Sequence, residues 1–444
     1  MDSSEENLIS FKKTSLREND KVAIISRNSL DYAAAINICW KLNLTAVPLN
    51  INYPQKKIDG ILTDIDCRYV LAGDDISIGF KHQKVFLIDE LIKKKNDLVL
   101  KVFNEKLFLN LGNDSNIIYS SGSSDLPKAV LHNLSNHYYS ALGANINMPL
   151  DKDSVYLVVL PFYHISGFSI IMRALISGSS IAVKPPGLSI ADSAKRVNAT
   201  HISLVPSQLY KMMGAKKDID VLKKMKAILL GGSDVSDSLI EECFYHKLNI
   251  IRTYGLTELA SQVSATSDND SLKHLKTSGR VLRFRQLMIG KDDEVFVKGK
   301  TLFKGYLKDK KLRLTEPGWF ATKDRGFIDS DGYLNITGRK DSMFTVKGAN
   351  VYPEELEKQI NSFEAVQESL VVNIEQPSKD NMIAAFIKAF GKVDKDKLKQ
   401  FLGSRLEKQK IPKYFFDWPQ EDGLKPNRKR FKEIAQHILD KKSP

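Results

Sequence analysis

"KVAIISRNSLDYAAAINICWKLNLTAVPLN", residues 21–50, contains one complete structural unit. "KVAIIS" is nearly all apolar and rich in β-branched residues, the composition of a strand covered on both faces. Ser29 stands where a helix N-cap belongs, and a helical pattern continues from it through "LDYAAAINICWKLN". "TAVPLN" is a second short strand. Strand, helix and strand in so short a span form the crossover unit of a parallel sheet, since parallel neighbours cannot be joined by a tight turn.

The alternation runs on through "CRYVLAG", "SVYLVVLP", "SSIAVKP", "HISLVP", "KAILLGG" and "NIIRTYG", with helical segments between them. The expected fold is α/β, with parallel sheets covered by helices on both faces. Beyond roughly residue 280 the strands become short and alternating, as in "DEVFVKG" and "GYLNITG", which predicts a small β-rich subdomain. After Gly338 come "PEELEKQINSF", "ESLVVNIE", "NMIAAFIKAF", "DKLKQFLGSRLEKQ", "YFFDWP" and "RKRFKEIAQHILDKK". They make up an α+β unit of ordinary domain size. The expected division is 1–338 and 339–444.

With 444 residues and 42% apolar composition, the chain can bury a large core and exceeds one domain. The formal charge of +13 is dispersed, with no zinc spacing, no aromatic-interleaved basic motif and no Arg-rich tail. That argues against nucleic acid and for small anionic substrates. Cys39, Cys67 and Cys243 lie far apart among apolar neighbours, fit no metal pattern and suit a reducing compartment. "MDSSEENLISFKK" lacks the apolar centre of a secretory signal, and no run is long enough to span a membrane. A soluble, cytoplasmic protein without membrane insertion is expected, with a homodimer left open.

Five stretches look chemical. In "NIIYSSGSSDLPKAVLHNLSN", residues 116–136, a strand gives way to Ser120, Ser121, Gly122, Ser123 and Ser124, then Pro127 and Lys128. A solvated turn uses such residues, and so does a loop whose N–H groups and hydroxyls surround phosphate. A Walker A loop is excluded, because Pro127 stands where glycine is required and Ala129 where Ser or Thr is required. "TYGLTE", residues 253–258, ends a strand with Tyr254, Gly255, Leu256, Thr257 and Glu258. Thr257 could cap a helix; alternatively, Glu258 is an oxygen ligand for Mg²⁺ and Tyr254 a flat face for a purine. Asp324 is placed to accept ribose hydroxyls, whereas Asp331-Gly332 reads as a hairpin turn. His164 in "LPFYHISG" and the basic "LKPNRKRFK", residues 424–432, each have an ordinary structural explanation when taken alone.

In this order and together, these stretches resemble the adenylate-forming superfamily of acyl-CoA synthetases, adenylation domains and luciferases, from about residue 20 to 432. Its Ser/Thr/Gly loop closed by Pro-Lys-Gly is matched by Ser120 to Lys128. Its Tyr-Gly-x-Thr-Glu is matched in full by Tyr254, Gly255, Thr257 and Glu258. Asp324 corresponds to its ribose aspartate, and Gly338, Arg339 and Asp341 to its Gly-Arg-x-Asp hinge. Lys429 matches its catalytic lysine, with Lys425 close enough to compete. The segments "THISLVPSQLYKMM" and "YGLTELASQVSAT" further resemble the o-succinylbenzoate–CoA ligases of menaquinone biosynthesis.

The resemblance implies two parallel-rich sheets in the large domain and a mobile C-terminal lid. It implies an acid that attacks the α-phosphate of ATP and is then passed to coenzyme A, with Mg²⁺ on Glu258. Gly231, Gly232 and Ser233 join the ATP residues, Ser120 to Ser124, Lys128, Tyr254 to Thr257, Asp324 and Arg339. His164, His201, Ser207, Ser261 and Gln262 are the expected acid site. Of these, Ser261 and Gln262 should lie one helical turn past Glu258, and His201 at a strand start near the second carboxylate. Asp341 would be the hinge and Gly348 would shape the CoA passage. Asp125, Ala129, Lys323 and Arg428 depart from the family's glycines. They keep two other readings open: an adenylating enzyme for a different acid or a carrier-protein thiol, and a nucleotide-binding homologue without catalysis.

Overall fold

A computed structural model describes residues 3–74, 76, 79, 80, 83–92, 99–101, 110–120, 128–307, 314, 315, 318–375, 381–389, 391–420 and 426–441. Ser29 accepts the Tyr32 N–H at 3.0 Å and opens helix Leu30–Lys41. That helix carries the chain from strand Lys21–Ile25 to strand Thr45–Pro48, which pair in parallel from Lys21↔Thr45 to Ile24↔Pro48. Strands Tyr69–Ala72 and Lys84–Leu87 add parallel on the far side. On the near side come Asp114–Ser120, then Lys128–Asn133 and Gly305–Tyr306, the last two antiparallel. This is a seven-stranded sheet.

A second sheet has eight strands. Its centre is parallel: Ser180–Val183, Val155–Val158, His201–Leu204, Ala227–Leu230 and Ile250–Leu256. Helices Leu30–Lys41, Leu134–Asn147 and Ile165–Ser177 fill the layer between the sheets. One apolar cluster there joins Val22 and Ile24 of the first sheet to Tyr156 and Val158 of the second through Ile36, Trp40 and Phe168. Each such fully buried side chain contributes roughly 1.5–3 kcal/mol relative to exposure. Parallel sheets covered by helices are what the alternation predicted, and two of them are what the resemblance implied.

The shorter strands after residue 280 form a third, antiparallel sheet, in which Glu294–Gly299, Trp319–Ile328 and Leu334–Arg339 are neighbours. Asp331-Gly332 is its hairpin turn, with Gly332 at φ +81. Beyond Arg339, strands Val366–Ile374, Met382–Ala389 and Tyr414–Asp417 form a separate sheet, with helices Pro353–Asn361, Lys395–Gly403 and Arg428–Asp440. The two apolar clusters of this region draw only on residues from Phe344 onward. All three cysteines are buried and reduced. Burial pushes their thiols up, Cys39 and Cys243 to about 12 and Cys67 to about 11. Among the described residues, no helix is long and apolar enough to cross a membrane.

Candidate active site

Ligands of open parallel sheets lie beyond the carboxyl ends of the strands, where helix N-termini and loop N–H groups point outward. The central strands of the eight-stranded sheet bring four predicted groups to that edge. His164 follows Val155–Val158, Ser207 follows His201–Leu204, Gly231 to Ser233 follow Ala227–Leu230, and Tyr254 to Leu256 end Ile250–Leu256. Two glycines there are dictated by space. A Cβ on Gly231 would lie 2.9 Å from the Thr253 carbonyl oxygen, and one on Gly255 would lie 2.2 Å from that of Ser261.

At this edge the Tyr254 hydroxyl donates to Asp324 Oδ2 at 2.5 Å, and Arg339 Nη1 donates to Asp324 Oδ1 at 2.9 Å. Arg339 turns its other edge on Asp341, Nε to Oδ1 at 2.9 Å and Nη2 to Oδ2 at 3.0 Å. Asp324 is 5% exposed. Burial pushes its carboxyl above the usual range, while Arg339 and the Tyr254 hydroxyl pull it down. Burial, then the Asp324 charge, holds Tyr254 well above an ordinary phenol. Each carboxylate oxygen has two acceptor sites, so Asp324 keeps capacity for ribose hydroxyls while holding both neighbours.

Glu258 sits in a 3₁₀ turn, Thr257–Leu259. Its Oε1 accepts from the Tyr306 hydroxyl at 2.7 Å, and Lys128 Nζ lies 4.8 Å over the same tyrosine ring. Lys128 is the first residue of a strand, paired directly with Ser120. Its place on the rim is therefore set by a ladder. Ser121, Gly122, Ser123, Ser124, Asp125, Pro127 and Lys425 lie outside the described residues. Thr257 caps no helix; its carbonyl oxygen is held at 2.8 Å by buried His132 Nε2. A carbonyl only accepts, so this nitrogen carries the proton. Burial drives His132 down to about 4 and keeps it neutral.

The acid end differs from its expectation in two ways. Ser261 and Gln262 do not continue a helix. Ala260 and Ser261, at φ +51 and +113, reverse the chain into strand Ser261–Ala265. There they meet a residue that sequence reasoning missed. Arg173, 1% exposed in helix Ile165–Ser177, donates Nη2 to Gln262 Oε1 at 2.9 Å and to Ser261 Oγ at 3.2 Å. Arg285 lies on the other side of Gln262, donating Nε to its carbonyl at 2.6 Å and Nη2 to Ser140 Oγ at 2.9 Å. Burial and the Arg173 charge push Arg285 down to about 9. Among the described residues, neither guanidinium has a carboxylate partner.

His201 is the second correction. It lies at the amino end of its strand, opposite the ligand edge, 1% exposed. Its Nε2 meets the Pro149 carbonyl at 3.1 Å and its Nδ1 the Thr200 hydroxyl at 2.8 Å. A residue on the far edge of the sheet cannot contact a ligand bound at the carboxyl edge. Ser207 lies in the first turn of helix Pro206–Met213, whose N-cap position belongs to Val205.

In the C-terminal region, Lys429 is exposed in the first turn of helix Arg428–Asp440, which Asn427 caps. Gly348, at φ +82, forms the turn between strands Phe344–Val346 and Ala349–Val351, with open space around it.

A family model described as AMP-binding enzyme matches residues 10–307. The chain belongs to the AMP-binding enzyme family. A relative from Geobacillus sp. (strain WCH70) named 2-succinylbenzoate–CoA ligase is 32% identical, over 95% of this chain and 89% of its own. The O-succinylbenzoate coenzyme A synthetase from Bacillus subtilis in complex with ATP and magnesium ion is 26% identical with a TM-score of 0.81, covering 97% of this chain and 93% of that one. The same synthetase in complex with the acyl-adenylate intermediate OSB-AMP gives 26% and 0.81, over 97% and 91%.

Two departures from the AMP-binding enzyme pattern have local explanations. Lys323 has φ +66, the backbone that glycine adopts most easily, but its Nζ lies 3.8 Å from Asp341 Oδ2, a contact glycine cannot make. Ala129 is a ladder residue opposite Tyr119, where a Cβ is normal. The site also fits Mg²⁺, which is usually held by one or two carboxylates together with substrate phosphates and water. Glu258 offers a hard oxygen donor on the same rim as Lys128, and no cluster of three His, Cys, Asp or Glu exists among the described residues.

Proposed function

We propose that this AMP-forming acid–CoA ligase activates o-succinylbenzoate. In the first half-reaction a carboxylate oxygen bonds to the α-phosphorus of ATP and pyrophosphate leaves. In the second, the CoA sulfur bonds to the acyl carbon and AMP leaves. Carboxylate and triphosphate repel one another, so the protein's work is alignment and charge neutralisation. Asp324 holds the ribose, Tyr254 faces the base, and Gly231 to Ser233 line the edge beside it. Lys128, the loop from Ser120 to Ser124, and Lys429 meet the phosphates. Glu258 is the residue to hold Mg²⁺, which would offset phosphate charge. The lid is residues 339–444, turning at Asp341, with Gly348 beside the CoA passage. A cytoplasmic location agrees with these substrates.

The observation that carries the substrate is the buried Arg173 with neutral partners only. An unpaired buried charge is costly, and o-succinylbenzoate brings a second carboxylate that must be paired without reacting. Arg173, Ser261 and Gln262, with His164 and Ser207 along the same edge, supply the positive and polar groups. Lys323 and Arg428 each make an ion pair that glycine cannot, with Asp341 and Glu357, which weakens two grounds for a homologue without catalysis. The test is AMP release from purified protein given ATP, CoA and a panel of acids. CoA-dependent release with o-succinylbenzoate in preference to benzoate and medium-chain fatty acids is expected. Preference for a fatty acid would overturn the substrate.

A further inference from the structure

Arg428 stands where the superfamily motif has glycine, and its contacts are ones glycine cannot make. Its Nη1 donates to Glu357 Oε1 and to the Val371 carbonyl. Its Nη2 donates to Glu357 Oε2 and Glu354 Oε1, both at 3.2 Å. Glu357 Oε1 also accepts the Val371 N–H at 2.7 Å, which closes a knot of helix, strand and guanidinium. Glu354 Oε1 accepts in addition from Ser342 Oγ at 2.7 Å, one residue past Asp341. The Glu354 side chain packs on Gly338, where a Cβ would lie 3.0 Å from Oε2. Thus Glu354 joins the start of the last helix to the segment around Asp341, and Glu357 joins it to strand Val366–Ile374.

Asn427 fixes the backbone of that helix start, its Oδ1 accepting from Lys429 N at 3.1 Å and Arg430 N at 3.2 Å. Buried Phe431 and Ala435 seat the body of that helix on the sheet. The Arg428 fork adds a fixed direction at its exposed first turn, because a bidentate pair has one geometry. Side chains of successive helical residues are about 100° apart, so fixing residue 428 fixes the direction taken by residue 429. We infer that Arg428 is a positioning residue: anchored on Glu354 and Glu357, it sets the direction in which Lys429 leaves the helix and ties that direction to the segment around Asp341. The inference rests on the role of Lys429 proposed above.

The experiment compares Arg428→Gln, Arg428→Lys, Lys429→Ala and the Arg428→Gln/Lys429→Ala double variant of the full chain. Pyrophosphate release and thioester formation from preformed acyl-adenylate are measured separately. Small misplacements of a reacting group cost up to about a hundredfold, so Arg428→Gln should lower kcat for adenylation about ten- to a hundredfold. KM for ATP and acid should stay within about twofold, and thioester formation should be largely kept. Arg428→Lys, which retains a charge for Glu357, should recover part of the loss. A residue acting through Lys429 has nothing further to lose in its absence, so in the Lys429→Ala background the added loss should shrink below about twofold. The same loss in both backgrounds, an equal loss in both half-reactions, or no loss would each overturn the inference. Full adenylation by Lys429→Ala alone would instead remove the role of Lys429, and the inference with it.

Discussion

The two ends of the candidate site handle buried charge in opposite ways. At the nucleotide end, the Asp324 carboxylate meets Arg339, which meets Asp341 in turn, and the Tyr254 hydroxyl completes the set. At the acid end, Arg173 and Arg285 are held by serine and tyrosine hydroxyls, the Gln262 amide and carbonyl oxygens alone. Dipoles orient a guanidinium without cancelling its charge. The nucleotide end is thus paired in the protein alone, while the proposed acid end keeps a guanidinium charge that only dipoles face. On the proposed reading, a site of the second kind selects for charge.

The largest effect should come from the residue between the two ends. Glu258→Gln keeps the shape and the Tyr306 contact but replaces a carboxylate with a poorer Mg²⁺ ligand. Pyrophosphate release at saturating Mg²⁺ should fall about 10²–10³-fold, the usual scale for losing one preorganised electrostatic group. Unchanged release would sink the assignment.

Next come two substitutions whose effects should cross. A hydrogen bond to a charged group contributes about 1.5–3 kcal/mol, equivalent to roughly ten- to a hundredfold in affinity. Asp324→Ala should raise KM for ATP by that factor and spare KM for the acid. Arg173→Met should do the reverse, with a much smaller penalty for benzoate, which has no second carboxylate. The two should also differ in melting temperature. Arg173→Met removes an uncompensated buried charge and should leave stability equal or higher, whereas Asp324→Ala breaks a paired set and should lower it. Steady-state kinetics with both substrates varied, alongside thermal unfolding, checks both. If both variants raise the same KM, the two ends are not separate.

The smallest kinetic effect is expected from His201→Ala, on the far edge of the sheet: KM for the acid within about twofold of the parent. Its effect should appear in stability against pH. Burial pushes His201 and His132 down to about 4. Between pH 4 and about 6.5 the unfolded chain binds protons that the folded chain refuses, so stability rises with pH across that window and levels off above it. Each histidine accounts for on the order of 3 kcal/mol of the change. Denaturation at several pH values should show His201→Ala losing about one proton of this slope.

Much of the fold was legible in the sequence, because strands buried on both faces and a capped helix declare themselves locally. Apart from Lys84–Leu87, which was not foreseen, the parallel strands fall within their expected segments, and Ser29 caps as expected. The nucleotide end was legible too, since Tyr254, Glu258, Asp324 and Arg339 stand in short recognisable motifs. The acid end was not. Arg173 sits in "FSIIMRALIS", where one cation in an apolar helix carries no motif, and its partners lie in a strand formed much later. Tyr306 reaches Glu258 and Lys128 only because strand Gly305–Tyr306 pairs with Val130 and Leu131. Ser261 and Gln262 were placed on a helix because "TELASQ" has helical composition. The reversal at Ala260 and Ser261 needs two non-glycine residues at positive φ, which tertiary packing imposes and propensity does not suggest.

The three cysteines acquire a meaning from the chemistry proposed for this chain. An acyl-adenylate is an acylating agent, and any thiolate of the protein itself would compete with the incoming CoA. With the thiols at about 11 to 12, only about one in 10⁴ to 10⁵ is ionised at neutral pH, and all three are packed away from solvent. The chain's own thiols are therefore nearly silent toward its intermediate. Acylation of Cys39, Cys67 and Cys243 is suppressed by their burial, so no protein thiol competes with the substrate thiol.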